Sequence, residues 1–360
     1  MRFIPHSLFL ILFLISINTS AQNLMAFVDY QGKFQVFEDG VFRQIEYMPL
    51  QSFKIGYNCV GYVDNTTEFK IYYQGVSNDV AYASNLSYRA TRGFLIYQIN
   101  QILSVFDNGK TTQLSYYIAR YTAGDSIIGF YDDNVHTLQE YYQGKIKEIE
   151  TNLLNPPDTM MASSNALLFL DPNDYLKIFY KGVVTDLGTN LASRYLVGSD
   201  IAAYVDSNTQ FFKVFYKGDI AKVESFPPKS FKCGDGIVAY VDNTGSFKIL
   251  SNGVLTTIKS FEPDSFIVRN NLVLYSYNGI YSVFYNDAPI EIERNALTNY
   301  QISETSLAYL DDLGHLRLFH NGKVEDISIE RPTKFLLRGN VLWYKLGNND
   351  DKILYKGRVY

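Results

Sequence analysis

The chain has 360 residues, with 32 Lys and Arg against 37 Asp and Glu, a formal charge of -5, and 47% hydrophobic residues. That apolar share supports a packed core and excludes intrinsic disorder and collagen-like fibres, while the mild acidity leaves no surplus cation to neutralise phosphates and argues against a nucleic-acid role. Thirty Tyr and 25 Phe beside one Trp and five Met point to β-structure, where aromatic rings pack well on a pleated surface.

At the N-terminus Arg2 precedes the apolar run Leu8 to Ile17, which gives way to Asn18 and the small residues Thr19, Ser20 and Ala21. A positive start, about ten apolar residues and a small-x-small exit predict a secretory signal peptide over 1–21, cleaved after Ala21. The run falls short of the roughly 20 residues that span a bilayer, and no later stretch is long enough for a membrane helix. The expectation is an exported chain, secreted or held in the periplasm or cell envelope, with one repeat domain over 22–360 and no membrane insertion.

From Met25 onward a short pattern recurs. The turns at Gly40, Gly75, Gly109, Gly144, Gly182, Gly218, Gly253, Asp287, Gly322 and Gly357 fall 34–38 residues apart, and a fixed period of this size signals a repeat architecture. Each copy reads as four short extended segments. The first carries an aromatic lead, as at Phe53, Tyr88, Tyr121, Tyr195, Phe231, Phe266, Tyr300 and Phe335; the second resembles Ile237–Asp242, the third Phe212–Tyr216, and the fourth follows the Gly turn. Between the second and third lie turns such as Asp242-Asn243-Thr244-Gly245, where Asp opens the turn and Gly accepts positive φ.

The third segment selects the sheet geometry. Phe34, Phe69, Leu103, Leu138, Leu176, Phe212 and Phe247 share one slot, and Val36, Ile71, Val105, Ile178, Val214 and Ile249, with Glu140 as the exception, follow two residues later on the same face. The next residue, from Phe37 through Tyr72 and Phe106 to Leu354, is apolar or aromatic on the opposite face. A small antiparallel sheet that is greasy on both faces needs cover on both, and a ring of face-to-face blades supplies it. The predicted fold is all-β, a β-propeller of about ten four-stranded repeats of about 35 residues. In strand order and in its Gly and Asp turns the repeat resembles the broad class of bacterial WD40-like and TolB-like propellers over 25–360; that resemblance implies the fold and carries over no functional residue. Two five-bladed rings and an open β-repeat array use the same pattern. The count of first segments is one short of the others, so one strand is expected to be missing.

Reactive residues are sparse. Cys59 and Cys233 replace apolar consensus residues five repeats apart and read as free thiols. His136 and His315 fall in turns, and His320 fills a slot held elsewhere by Tyr73, Tyr180, Glu38 and Ser251, expected to face solvent. No metal, cofactor or catalytic residue is assigned, because no HExxH, paired CxxC, GxSxG or phosphate-binding Gly loop occurs. The regular series Asp29, Asp64, Asp132, Asp171, Asp206, Asp242 and Asp311 has the chemistry for calcium or paired-carboxylate work, but a turn-forming role explains it better. Lys70, Lys177, Lys213, Lys248, Arg317 and Lys352 form a cationic series, expected to solvate sheet edges and alternatively to bind anions.

Positions that break the repeat are the candidate binding residues, since packing does not demand the change: Gln98, Asn100, Tyr275, Tyr277, Tyr281 and Trp343. The expected role is a non-catalytic platform for a protein or an extracellular polysaccharide. The rivals are a carbohydrate-active hydrolase or lyase with carboxylates in a central channel, and a structural envelope protein. A channel lined by unmatched acids favours the enzyme, whereas an aromatic-rich rim favours binding.

Overall fold

The computed structural model describes residues 24–360 apart from 191 and 193. The expected leader over 1–21 lies outside the described residues. Every regular element among those described is a strand, and the strands form ten antiparallel sheets, nine four-stranded and one three-stranded. Blade 7 shows the plan, with Ser230–Cys233, Ile237–Val241, Phe247–Ser251 and Val254–Lys259 paired in sequence order. Its second strand is buried along its whole length and its fourth is mostly exposed, so the first strands face the ring axis and the fourth strands its circumference. Alternation along the third strand sends Phe247 and Ile249 into the core shared with blade 8, while Leu250 joins the core shared with blade 6.

The same sharing runs round the whole molecule. Leu168 and Ile178 of blade 5 pack with Tyr204 and Phe215 of blade 6, so no break divides two five-bladed rings. Val341, Trp343 and Ile353 of blade 10 join Phe27 and Phe34 of blade 1 in a single core. Trp343 stacks on Phe27 at 5.7 Å, and Phe37 meets Tyr355 and Tyr360 at 5.6 and 5.3 Å. The ring therefore closes, which sets aside both the open array and the pair of smaller rings. Blade 1 is the three-stranded sheet, Leu24–Val28, Phe34–Glu38 and Val41–Glu46, and the described residues supply no inner strand for it, as the segment count implies.

The slot at the end of the third strand does not face solvent. Its tyrosines meet the next blade edge to face, Tyr73 against Phe106, Tyr142 against Phe179, Tyr180 against Phe215 and Tyr285 against Phe319. Where the slot is acidic the neighbour supplies a hydroxyl instead: Tyr72 donates to Glu38 at 2.8 Å and Tyr141 to Asp107 at 2.9 Å. His320 is half-buried, with Ser306 Oγ 2.7 Å from its Nδ1. The range of residues tolerated there reflects matched pairs between blades, which a single-copy comparison cannot reveal.

Several turn aspartates and members of the cationic series form one device. Asp242 Oδ1 accepts from the backbone amides of Thr244 and Ser246, each at 2.9 Å, and Asp64 and Asp311 repeat this. Their second oxygen takes a cation, and that cation reaches the fourth strand of the preceding blade: Lys248 lies 2.8 Å from both Asp242 and Glu224, Lys177 bridges Asp171 and Glu150, and Arg317 bridges Asp311 and Glu293. Lys70, Lys177, Lys248 and Arg317 therefore tie blades together, whereas Lys213 pairs with Asp206 of its own blade and Lys352 with Asp350 of its own strand. Burial raises the Asp64 carboxyl, but hydrogen bonds from Lys70, Glu68 and Thr66 outweigh it and hold the group at about 2. A depressed carboxylate stabilises the fold above its unfolded value of about 3.9 and loses that contribution as pH falls through the folded one. Acid is therefore expected to loosen the Asp64 clamp only between about pH 4 and pH 2. Asp242→Asn keeps the turn acceptor and removes the charge, and is expected to cost about 1–2 kcal/mol in urea unfolding at pH 7; an unchanged midpoint would show that the bridge adds no stability.

Candidate functional site

Around the axis, the turns joining first to second strands crowd together. Gly124, Gly198 and Gly234 lie so close to the next turn that an added Cβ would sit 1.4 Å from Ser163 O, 1.8 Å from Gly234 O and 2.0 Å from Asn270 O. Backbone hydrogen bonds link these turns laterally, Ser126 N to Ser164 O and Gly236 N to Ser199 O, both at 2.7 Å. The packing throws their polar side chains across the axis.

Arg92 of blade 3 is the hub. Its Nε lies 3.5 Å from Asp125 Oδ2 of blade 4 and its Nη1 3.3 Å from Asp235 Oδ2 of blade 7, while its backbone amide donates to Asp125 Oδ1 at 2.9 Å. Ser164 Oγ donates to Asp125 at 2.7 Å and lies 3.5 Å from Asp235. Burial pushes the Asp235 carboxyl up; Arg92 opposes that and the Asp125 charge adds to it. Tyr57 of blade 2 lies beneath the guanidinium, 5.7 Å from ring centroid to carbon, and burial, then the Glu304 carboxylate at its hydroxyl, pushes the phenol up.

This plug separates two hollows of opposite character that share Arg92 and Asn270. On the channel side is a cavity of about 540 Å³ walled by the first strands of blades 8, 9 and 10 (Ser265–Arg269, Asn299–Ser303 and Lys334–Arg338), whose lining includes Arg92, Arg269 and Arg338 and no carboxylate. On the other side is a hollow of about 410 Å³ whose lining includes Asp200, Asp235, Asp287 and Glu304 with Lys217. The opposite face of the ring carries the blade-to-blade connections. Tyr47, Tyr116, Leu154, Phe226 and Ile329 from five connections, and Tyr82 at the end of a fourth strand, are exposed there, Leu154 to 89% and Tyr47 to 75%.

Residues 18–360 match the family described as the 10-bladed beta propeller domain. The chain belongs to that family. No curated protein matches it. Among solved structures this ten-bladed propeller is similar to the CRINKLY WD40 ectodomain of the Arabidopsis thaliana receptor kinase ACR4, at 10% identity over 68% of this chain and 99% of that one, with a TM-score of 0.37. It is also similar to the computationally designed Ika8 protein, at 13% identity over 76% and 96% of the two chains, TM-score 0.35. A third similarity is to PorZ, a bacterial surface component of the type-IX secretion system of Porphyromonas gingivalis, at 9% identity over 94% of this chain and 62% of that one, TM-score 0.26.

Within the ten-bladed propeller the six repeat-breaking residues do not gather at one place. Gln98 and Asn100 close a turn of blade 3, Gln98 Nε2 donating to Asn100 O at 3.0 Å. Tyr275 is buried against Phe247 at 5.4 Å, and Tyr281 is half-buried beside the core between blades 8 and 9. Tyr277 packs on Phe261 at 5.1 Å and donates its hydroxyl to Phe261 O at 3.0 Å. Trp343 is buried in the ring closure. Cys59 is buried, Cys233 partly so, and both are free thiols, pushed up to about 12 by burial. Among the described residues no group of three or more His, Cys, Asp or Glu is placed to hold a metal ion, and no helix is long and apolar enough to cross a membrane. The hub residues Arg92, Asp125, Asp235 and Tyr57 were not singled out from sequence. They sit in turns of variable composition, and the one available signal was the appearance of charge in turns that are Gly- or Ser-rich elsewhere.

Proposed function

We propose that this protein is an exported, non-catalytic binding platform that holds a protein or extracellular polymer on the face bearing the blade-to-blade connections. The observation that carries this reading is the apolar rim: exposed Tyr, Phe, Leu and Ile side chains at or beside six blade-to-blade connections lie on one face of a rigid ring, and aromatic residues are enriched where protein surfaces bind partners. A closed ring supports it further, since its loops are positioned by packed blades rather than by their own flexibility. Export rests on the leader expected over 1–21, leaving 22–360 as the working domain in the periplasm, envelope or medium; N-terminal sequencing of the secreted chain tests it, and a mature start at Met1 would remove it.

Binding is tested by presenting glycan arrays and envelope polymers to the purified protein and to a Tyr47→Ser, Tyr116→Ser, Phe226→Ser variant. The platform reading expects capture by the parent and at least a tenfold loss in the variant, in line with aromatic anchors dominating interfaces. Equal capture by both would overturn it.

A second reading, a carbohydrate-active hydrolase, rests on one observation: Asp125 and Asp235, equivalent turn residues of blades 4 and 7, meet at Ser164 Oγ across the axis, and burial raises the Asp235 carboxyl, the direction a general acid needs. Its signature is polymer cleavage by the parent that Asp235→Asn abolishes while the rim variant retains it.

A further inference from the structure

The channel cavity has a charge pattern that the rim does not explain. Three arginines line it and no acidic residue does. Arg92 is offset by Asp125 and Asp235 on the far side of the plug. Arg269 and Arg338 form no ion pair with any described carboxylate, and Arg338 Nε is buried without a hydrogen-bond partner. Burial lowers the Arg338 guanidinium from its ordinary value, and Tyr57, Cys59 and Asp125 oppose that only in part. An orphaned buried donor on a charged group is costly, and its retention calls for a partner.

The remaining walls define what that partner looks like. Tyr57 and Tyr300 present rings, and Ile302 and Leu336 present apolar surface. Gln301 is already engaged, bridging Phe335 O at 2.8 Å and Leu337 N at 2.9 Å, so it braces the wall and leaves recognition to the arginines. A volume of about 540 Å³ is in the range of small-molecule sites, roughly 300–1,000 Å³. Guanidinium forks match the planar oxygens of carboxylate and the oxygens of phosphate.

We propose that the channel cavity binds a small organic oxyanion, its charged end between Arg338 and Arg269 and its ring-sized body against Tyr57 and Tyr300. The site is separate from the rim and stands whether or not the rim holds a polymer.

The test is calorimetric titration of the purified protein with glucuronate, glucose 6-phosphate and glucose, which share a ring and differ in charged group. One or both charged sugars bind, and glucose binds at least tenfold more weakly; the stronger of the two identifies carboxylate or phosphate as the natural anion. Arg338→Gln weakens that binding by about tenfold, the loss typical of a charged hydrogen bond. Arg269→Gln, at an exposed position, weakens it in the same direction and keeps the test decisive if the Arg338 variant folds poorly. The rim variant leaves it unchanged. Equal binding of all three sugars, no binding of either charged sugar, or charged-sugar affinity untouched by Arg269→Gln would overturn the proposal.

Discussion

Gly124→Ala is expected to unfold the ring or to cost at least about 3 kcal/mol, more than most small-to-large changes in a packed interior. The added methyl carbon would stand 1.4 Å from Ser163 O, a backbone atom of the next blade's inner turn. Relief by a small shift is blocked because Ser163 is itself held, its amide bonded to Ala166 O at 2.9 Å and its hydroxyl to Gly198 O at 2.6 Å. The displacement would pass from blade to blade round the axis. Gly182→Ala is the contrast, since Gly182 has a φ of 87° and nothing within 4 Å of the added carbon. There only the left-handed backbone is penalised, by about 1–2 kcal/mol. Urea unfolding of the two variants against the parent measures the difference. Equal losses would mean that turn-to-turn contact does not set the inner radius of the propeller.

Glu140→Ile is expected to stabilise the protein by about 3 kcal/mol at pH 8 and by much less at pH 5. Glu140 occupies the core slot that holds Ile71 and Ile178 in other blades, is 4% exposed, and has an oxygen with no hydrogen-bond partner. It stands opposite Gly129 on one side and Lys147 on the other. Burial pushes its carboxyl up to about 7, Lys147 opposing only in part. A carboxyl whose folded value lies above its unfolded value of about 4.3 costs the fold most above pH 7, and the cost shrinks as pH falls toward the unfolded value. Removing the group therefore helps most where it is ionised. Denaturant midpoints at the two pH values decide the matter; an equal gain at both would assign the effect to packing alone.

Much of the architecture was legible because it is written ten times. The apolar slots that begin at Phe34 and Val36 and the opposing slot at Phe37 required cover on both faces, and a period near 35 left little room for anything but small blades. Ring closure was not legible. It rests on Trp343 meeting Phe27 and Tyr355 meeting Phe37, contacts between repeats at opposite ends of the chain that obey the same rule as any neighbouring pair. Trp343 looked like a surface binder because it breaks the repeat, yet it breaks the repeat to fill that seam. Tyr275 likewise serves the core between blades 7 and 8.

From sequence alone came strand order, the turn aspartates and the doubly apolar sheets, since each follows from local alternation and backbone turn chemistry repeated along the chain. The Arg92 hub, the basic cavity beside Arg338 and the shared rim came only from the tertiary structure. They join side chains from blades far apart in sequence, and no local period encodes which turns will face one another once a ring of ten has closed.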